Sequence, residues 1–289
     1  SRIRSLLRVL TACWIIRDAH KFFAVIINRD IVPELRVTFL EERIIRKGGR
    51  LIFDFDDAIY LGSRKNKVQF ILERVDAVVC GNKFLTGFAR SYNSDVTVIP
   101  SVVDTNLYVP SEKRYNPLPI IGWIGSSHTR KAHLPLLQKP LELLAEKCDF
   151  EFRIIADEDP KLQWTNVKVK FIKWTEENEI YELQQLNMGL MPLFDSEFER
   201  GKCGFKAIQY MSVGIPALVS PVGINAEIVD HDKNGFHCSS TEDWVDSMLS
   251  LIHNNEKALQ MGKEARDKIV NEYSMNKALS LWHEVLNVE

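Results

Sequence analysis

The chain has 289 residues, a formal net charge of −2 and 45% hydrophobic residues. This length and apolar content suit two α/β domains with packed cores, and the near-neutral charge excludes a general attraction to nucleic acid. The five cysteines are scattered without the spacing of a zinc or redox site, which indicates reduced thiols and a cytoplasmic protein. No apolar run has the length needed to cross a bilayer.

Strands and helices alternate along the first part of the chain. The hydrophobic pattern predicts helix 2–17, strand 22–27, a helix from Pro33 to Gly48, strand 51–55, helix 66–74, strand 77–80, helix 83–92 and strand 96–99. Near-continuous runs of Val, Ile and Phe are typical of a parallel sheet that is covered on both faces. We therefore expect a doubly wound, Rossmann-like sheet here.

A Pro-rich polar segment at 109–119 is the best candidate for a linker. The alternation then restarts and predicts strand 120–124, helix 133–147, strands 150–155 and 167–172, helix 176–185, strand 188–192, helix 204–213, strand 217–220, helix 224–229 and three helices over 241–287. We expect two α/β domains, residues 1–113 and 114–289, which face a cleft, with the last helices packing back on the first domain. Ligands of such sheets bind beyond the carboxyl ends of the strands.

The most informative segment is GKCGFKAIQYMSVGIPALVSPVGINAEIV at residues 201–229. It places Lys206 on an apolar helix, which is followed by a strand and by a Pro-Val-Gly loop that opens another helix. The N-terminus of a helix offers unpaired N–H groups and a partial positive charge, which suit a phosphate. Lys206 would add a full charge to the same anion. A solvated surface lysine is the competing interpretation.

Several motifs occur in a characteristic order: DFDDAIY, GNKFLTGFA, VIPSVVDTNLY, IGWIGS and then the segment at 201–229. Together they resemble the retaining glycosyltransferases of the GT-B fold, family 4, in the glycosyl transferases group 1. The resemblance covers most of the chain and is strongest beyond residue 50. It implies two facing Rossmann-like domains, of which the second holds a nucleoside diphosphate sugar.

The chain departs from that family in three places. Many members carry glutamates at the positions of Gly201 and Gln209, and the pair Lys206 and Gln209 resembles a Lys-x-x-Gln variant of bacterial polysaccharide glycosyltransferases. Many members also have an arginine at the position of Ser126. The elements expected ahead of helix 2–17 are missing, so the resemblance implies an N-terminally truncated first domain.

The donor site is expected to be cationic and rich in backbone N–H groups. Lys206 would stabilise the departing diphosphate in the transition state, with Arg130 as a second cation, and Gln209 would hydrogen-bond the ribose as the family glutamate does. Trp174 and residues near Asp157 are alternatives for lining the base pocket. For each of these residues, a side chain that simply packs in the fold or is exposed to solvent is the competing interpretation. The residues expected to contact the donor are Gly125, Ser126, Ser127, Lys131, Lys206, Gln209, Val222, Gly223, Ile224 and Glu227.

Three aspartates end the strand at 51–55. Asp54 and Asp56 are candidates to orient or deprotonate an acceptor hydroxyl, whereas N-capping of the next helix is an alternative for Asp57. The LIFDFDDA run also resembles the opening of haloacid dehalogenase-like phosphohydrolases, in which the first Asp is a nucleophile and Mg²⁺ bridges the pair. A non-catalytic remnant that binds a nucleotide sugar is a third alternative.

The sequence therefore predicts a hexosyltransferase of polysaccharide biosynthesis. It would move a sugar from a nucleotide sugar to a glycan or lipid-linked acceptor, without a cofactor and without an obligatory metal. Nucleic acid is not an expected partner. Arg2, Arg4 and Arg8 on the first helix leave a peripheral contact with the inner face of a membrane open, against the alternative of a helix that covers the sheet.

Overall fold

The computed structural model describes residues 2–32, 35–47, 49–111 and 118–287, without the side chains of residues 2–6 and 128. The chain forms two compact units. The first consists of Ser1–Ser101, Arg200–Cys203 and Leu279–Glu289, and the second of Val102–Glu199 and Gly204–Ala278. Residues 112–117 of the predicted linker lie outside the described residues, as do Pro33 and Gly48, the expected ends of one helix.

The first unit is a four-stranded parallel sheet with helices between its strands. The strands occur in the order β1-β2-β3-β4. They are β1 (Ala24–Asn28), β2 (Arg50–Phe55), β3 (Ala77–Cys80) and β4 (Val96–Val98). The helices are α1 (Arg2–Arg17), α2 (Phe39–Ile45), α3 (Lys65–Leu72) and α4 (Lys83–Ala89).

The central strands of this sheet are buried because both of their faces are apolar. Every residue of β3 is buried, and β2 buries four of its residues in an apolar run that only Asp54 interrupts. Such runs are the signature of parallel strands covered on both sides. Asn82 then begins α4, because its side-chain oxygen accepts from the Leu85 amide at 2.9 Å.

The second unit is a six-stranded parallel sheet. Its strands are β5 (Ile120–Ile124), β6 (Glu151–Ala156), β7 (Lys168–Lys173), β8 (Met188–Met191), β9 (Ala217–Val219) and β10 (Gly235–His237). Its helices are α5 (Ser127–His133), α6 (Gln138–Ala145), α7 (Glu176–Gln184), α8 (Glu197–Arg200), α9 (Phe205–Ser212), α10 (Asn225–Ile228), α11 (Thr241–His253), α12 (Asn255–Glu272) and α13 (Met275–Leu286), of which α8 and α13 extend into the first unit.

The strand order of the second sheet is β10-β9-β8-β5-β6-β7. The chain builds outward from β5 to β7 and then returns to the other side of β5 to build from β8 to β10. This is the doubly wound Rossmann order, and it creates a topological switch point between β5 and β8. The parallel α/β fold class expected from the sequence is confirmed in both units.

The structure differs from the predicted elements at three places along the chain. The single helix expected over 133–147 is wrong: α5 ends at His133, a 3₁₀ turn spans Leu134–Leu137, and α6 begins at Gln138. Pro135 and Pro140 cause the break, because proline lacks the N–H that a helix interior needs. The short α8 and β10 lie where the sequence analysis predicts no element, since three or four residues are too few to show a hydrophobic period.

No helix in the described part of the chain combines the length and apolar character needed to cross a membrane. On α1, Ala12 and Ile16 are buried, whereas Trp14 and Ile15 are exposed.

Candidate functional site

Tyr210 on α9 lies at the switch point of the second sheet. The ladder between β5 and β8 pairs Ile121 with Met188 and Gly122 with Gly189. Beyond it, the Tyr210 hydroxyl accepts from the Ile124 amide at 2.9 Å and donates to the Leu190 carbonyl at 3.3 Å. Its ring occupies the space over Gly189, where an added Cβ would lie 2.2 Å from Tyr210 Cγ. Tyr210 thus supplies hydrogen bonds to the backbone amide and carbonyl where the two strands stop pairing. This is the place where open α/β sheets bind ligands.

Lys206, one turn earlier on α9, contacts the loop that follows β5. A Cβ added to Gly125 would lie 2.8 Å from Lys206 Cε and 2.6 Å from Trp123 Cη2. The ammonium nitrogen lies 5.7 Å from the centroid of the Trp123 ring. The helix begins at Gly204, whose φ of 68° is in the left-handed region that favours glycine. The structure therefore brings together the cation and the glycine that the sequence assigned to one anion.

The loop after β9 lies beside the start of α9. A Cβ added to Gly204 would be 3.2 Å from Ile224 Cγ2. Gly223 has a φ of 55°, and Val222 donates its amide to the Ser220 carbonyl at 2.8 Å. Within the described residues, the amides of Gly223 and Ile224 donate to no acceptor. Glu227 is exposed on the short α10.

The loop after β5 makes its own contacts with the loop after β6. The Ser127 amide donates to Asp157 Oδ1 at 2.6 Å. Hydrogen bonding from the Ser127 side chain, with a smaller contribution from this amide, lowers the pKa of Asp157. The Arg130 guanidinium donates to the Glu158 carbonyl. Ser126 and Lys131 are exposed. The Ser127 amide, which the sequence analysis expects to contact the donor diphosphate, is therefore already bonded to Asp157.

Gln209 is 4% exposed and lies one turn after Lys206. Its amide donates to Glu179 Oε1 at 2.8 Å. The same oxygen accepts from the Tyr108 hydroxyl, and Glu179 Oε2 accepts from Trp174 Nε1 at 2.5 Å. We call these four side chains the Glu179 cluster. Sequence reasoning missed Glu179 because nothing distinguishes it from the other acids in the first turn of α7.

In the first unit, polar side chains gather at the carboxyl ends of β1 and β2. Asn28 donates to Asp54 Oδ2 at 2.8 Å. Arg29, which the sequence did not indicate, pairs with Asp56 at 2.6 Å and with Asp57 at 3.2 Å. Burial raises the pKa of Asp54, with the Asn28 hydrogen bond acting against it. Burial also raises the pKa of Asp57, and the neighbouring Asp56 charge adds to the effect.

Residues 200–203 belong to this first unit. The Asn82 amide donates to the carbonyls of Gly201 and Lys202, each at 3.0 Å. A Cβ added to Gly201 would lie 2.7 Å from Ala58 Cβ and 3.0 Å from the Ala58 backbone nitrogen. The backbone as it stands therefore has no room for a glutamate at Gly201, which explains one departure from the family pattern.

The phosphohydrolase alternative is not favoured by this geometry. Arg29 already supplies positive charge to Asp56, one of the two aspartates that a divalent cation would bridge in that chemistry. In the described ranges, no group of three or more His, Cys, Asp or Glu side chains is arranged to hold a metal ion.

Comparison with known proteins agrees with the architecture. Residues 118–254 match the family model described as "Glycosyl transferases group 1". No curated protein sequence matches the chain.

Three solved structures illustrate the likeness of fold. A glycosyltransferase from Rickettsia africae ESF-5 has a TM-score of 0.75 and 16% identity, with 97% of this chain and 81% of that chain covered. Alr3699/HepE from Anabaena, in complex with UDP and glucose, has a TM-score of 0.73 and 12% identity, with 96% and 80% covered. A mutant of TarM from S. aureus, in complex with fondaparinux, α-GlcNAc-glycerol and UDP, has a TM-score of 0.68 and 18% identity, with 91% and 55% covered. At these identities the likeness shows the GT-B fold.

Proposed function

We propose that this chain is a retaining glycosyltransferase of family 4 that transfers a sugar from a nucleoside diphosphate sugar to a glycan or lipid-linked acceptor. The contact between Lys206 and Gly125 at the switch point of the second sheet carries the proposal. The family-model match over residues 118–254 supports it. The UDP, sugar and glycan ligands named for HepE and TarM support the substrate class.

Lys206 acts on the leaving group. As the glycosidic bond breaks, negative charge grows on the departing diphosphate. A fixed ammonium beside Gly125 stabilises that charge more strongly in the transition state than in the ground state. The amides of Gly223 and Ile224 are further donors for the same anion. Arg130 takes part through the guanidinium N–H groups that remain beyond its bond to Glu158.

The reaction proceeds with retention on one face of the sugar, as the family resemblance implies. In our proposal the cation and the loop amides hold the diphosphate, so that no metal is obligatory. The acceptor is assigned to the first unit. There Asp54 is the group that accepts the proton of the acceptor hydroxyl. Burial raises the pKa of Asp54, and a base is most effective when its pKa approaches the working pH.

The first test is nucleotide binding. A thermal-shift panel of ADP, GDP and UDP identifies the best ligand, because a bound ligand stabilises the fold in proportion to the logarithm of its concentration over its Kd. Calorimetry then compares the parent with Lys206→Met. Loss of one charge-assisted hydrogen bond, worth about 1.5–3 kcal/mol, is expected to weaken binding roughly 10- to 150-fold.

The matched control is Lys263→Met, which removes the same charge from an exposed position on α12 of the same unit. It should bind the nucleotide as the parent does. Equal affinity of Lys206→Met and the parent, or no binding of any nucleoside diphosphate, would overturn the proposal. Release of nucleoside diphosphate from a donor sugar in the presence of acceptor then separates transfer from binding alone.

A further inference from the structure

Glu179 is a half-buried carboxylate that is held in place by three side chains from three different elements. Tyr108 comes from the segment that precedes β5, Trp174 follows β7, and Gln209 lies on α9. Tyr108 is itself fixed, because Arg266 donates to its carbonyl and to the Thr105 carbonyl. A side chain oriented by this many contacts is preorganised.

All three groups that hold Glu179 are uncharged donors. In the described part of the chain, no Lys, Arg or His lies within ion-pair distance of this carboxylate. Burial, reinforced by the Glu179 hydrogen bond, raises the pKa of Tyr108 to about 12, so Tyr108 stays a donor at neutral pH. A carboxylate has about four acceptor positions. Two on Oε1 and one on Oε2 are filled, which leaves one position on Oε2.

The cluster also lies at the proposed donor site. Gln209 follows Lys206 by three residues, so the two side chains are neighbours on one face of α9. The rise between them is about 4.5 Å. This separation is within the span between the phosphates and the ribose hydroxyls of one nucleotide. Gln209 itself is committed to Glu179, and its side chain is almost fully buried.

We propose that Glu179, rather than Gln209, is the group that accepts a hydrogen bond from a ribose hydroxyl of the nucleotide. The inference rests on the proposed function, since it requires a nucleoside diphosphate at Lys206. It also explains the glutamine at position 209. A glutamate there would place two carboxylates at hydrogen-bond distance, whereas an amide at this position donates to Glu179 and leaves a single charge for the sugar.

The experiment changes the ligand before it changes the protein. The parent chain is titrated with the best-binding nucleoside diphosphate and with its 2′-deoxy and 3′-deoxy forms. A hydroxyl that donates to a carboxylate predicts at least 10-fold weaker binding for one of the two deoxy forms. Equal binding of all three forms would overturn the inference without touching the proposed function, which fails only if Lys206→Met leaves binding unchanged or if no nucleotide binds.

The variant Glu179→Gln then assigns the effect to this residue. In this variant, the affinities for the ribonucleotide and for the more weakly bound deoxy form should differ by less than threefold. The affinity for that deoxy form should stay within threefold of its value in the parent chain. The matched control is Glu177→Gln, an exposed position on the same helix, which should keep the full ratio. A ratio that persists in Glu179→Gln would assign the ribose to another group. If Glu179→Gln does not fold, Glu179→Asp, which keeps the charge but withdraws it by one methylene, should show the same loss of discrimination.

Discussion

An acidic cluster in the first unit and the Glu179 cluster in the second unit are held in different ways. In the first unit, the two acids that follow β2 are paired with one cation. Arg29 forms ion pairs with Asp56 and Asp57 near the surface. In the second unit, Glu179 is held by the neutral donors of its cluster.

A buried example makes the contrast sharper. Lys67 on α3 lies 2.6 Å from Asp30 and 3.0 Å from Glu41, and it also donates to the Leu35 carbonyl at 3.1 Å. All three charged side chains are at least nine-tenths buried. The Lys67 ammonium therefore counters both of these acids within the fold, whereas no Lys, Arg or His among the described residues lies within ion-pair distance of Glu179. We infer from this difference that Lys67 and its two acids stabilise the fold, whereas Glu179 binds a ligand.

Removing the cation of the first unit is expected to have the largest effect on stability. Lys67→Met would leave Asp30 and Glu41 buried together without a counter-charge. Breaking a buried ion pair in this way costs about 3–5 kcal/mol. Urea unfolding should show this loss. Lys65→Met, an exposed position on the same helix, should change the unfolding free energy by less than about 0.5 kcal/mol, and equal losses in the two variants would show that the pairing is unimportant.

Adding a charge to the second unit is the converse change. In Gln209→Glu, a carboxylate replaces the amide that now lies 2.8 Å from Glu179 Oε1. We expect a loss of about 1–3 kcal/mol at pH 7, because a donor is removed and two like charges meet in a partly buried place. One of the two carboxyls must then have a raised pKa. The loss should be present above the unfolded glutamate pKa of about 4.3 and should disappear as the pH falls below it.

A matched control for this change exists on the surface. Gln260 donates to Glu264 Oε1 at 3.0 Å on an exposed face of α12. Gln260→Glu creates the same like-charge pair in water, where the cost at helical spacing is about 0.2–0.5 kcal/mol. If Gln209→Glu costs no more than Gln260→Glu, the Glu179 cluster is not a low-dielectric site.

Much of the framework could be predicted from sequence because its signals are local. The strands Ala77–Cys80 and Ile120–Ile124 occur where they were expected, since each is a short unbroken apolar run. The order of strand, glycine loop and lysine-bearing helix also placed Gly125 and Lys206 near one point, and the structure brings them into contact. The carboxyl ends of parallel strands share one edge, so topology alone implies such a meeting.

The parts that could not be predicted depend on tertiary contacts. Tyr108 and Glu179 are 71 residues apart in the chain, and no pattern links a tyrosine in a loop to an acid in the first turn of a helix. Arg29, which follows β1, has a φ of 60°. The pattern of apolar residues predicts helices and strands but not such a local backbone conformation. The partners of a polar side chain are decided by which elements pack together, whereas its secondary structure is decided largely by its neighbours in sequence.

The smallest expected effect concerns the charge of Glu41. Burial raises the pKa of Glu41 above its usual value, and the Lys67 ammonium, 3.0 Å from Oε1, offsets this only in part. Because the folded pKa is the higher one, the unfolded state ionises first as the pH rises. The parent should therefore lose stability relative to Glu41→Gln from about pH 4.3 upward, until the folded carboxyl has also ionised. Urea unfolding of both chains at several values between about pH 4 and pH 7.5 measures the difference.

The comparison variant for Glu41 is Glu73→Gln at the end of α3. Hydrogen bonds from Gln69 and Arg74 lower the pKa of this exposed glutamate. With the folded pKa below the unfolded one, the parent gains stability relative to Glu73→Gln as the pH rises, so the two variants should differ in the sign of their pH dependence. A difference between parent and Glu41→Gln that is flat with pH, or that has the sign of Glu73→Gln, would mean that Lys67 fully compensates the burial of Glu41. Lys67 would then neutralise Glu41 completely, and the contrast with Glu179 would be larger than the structure indicates.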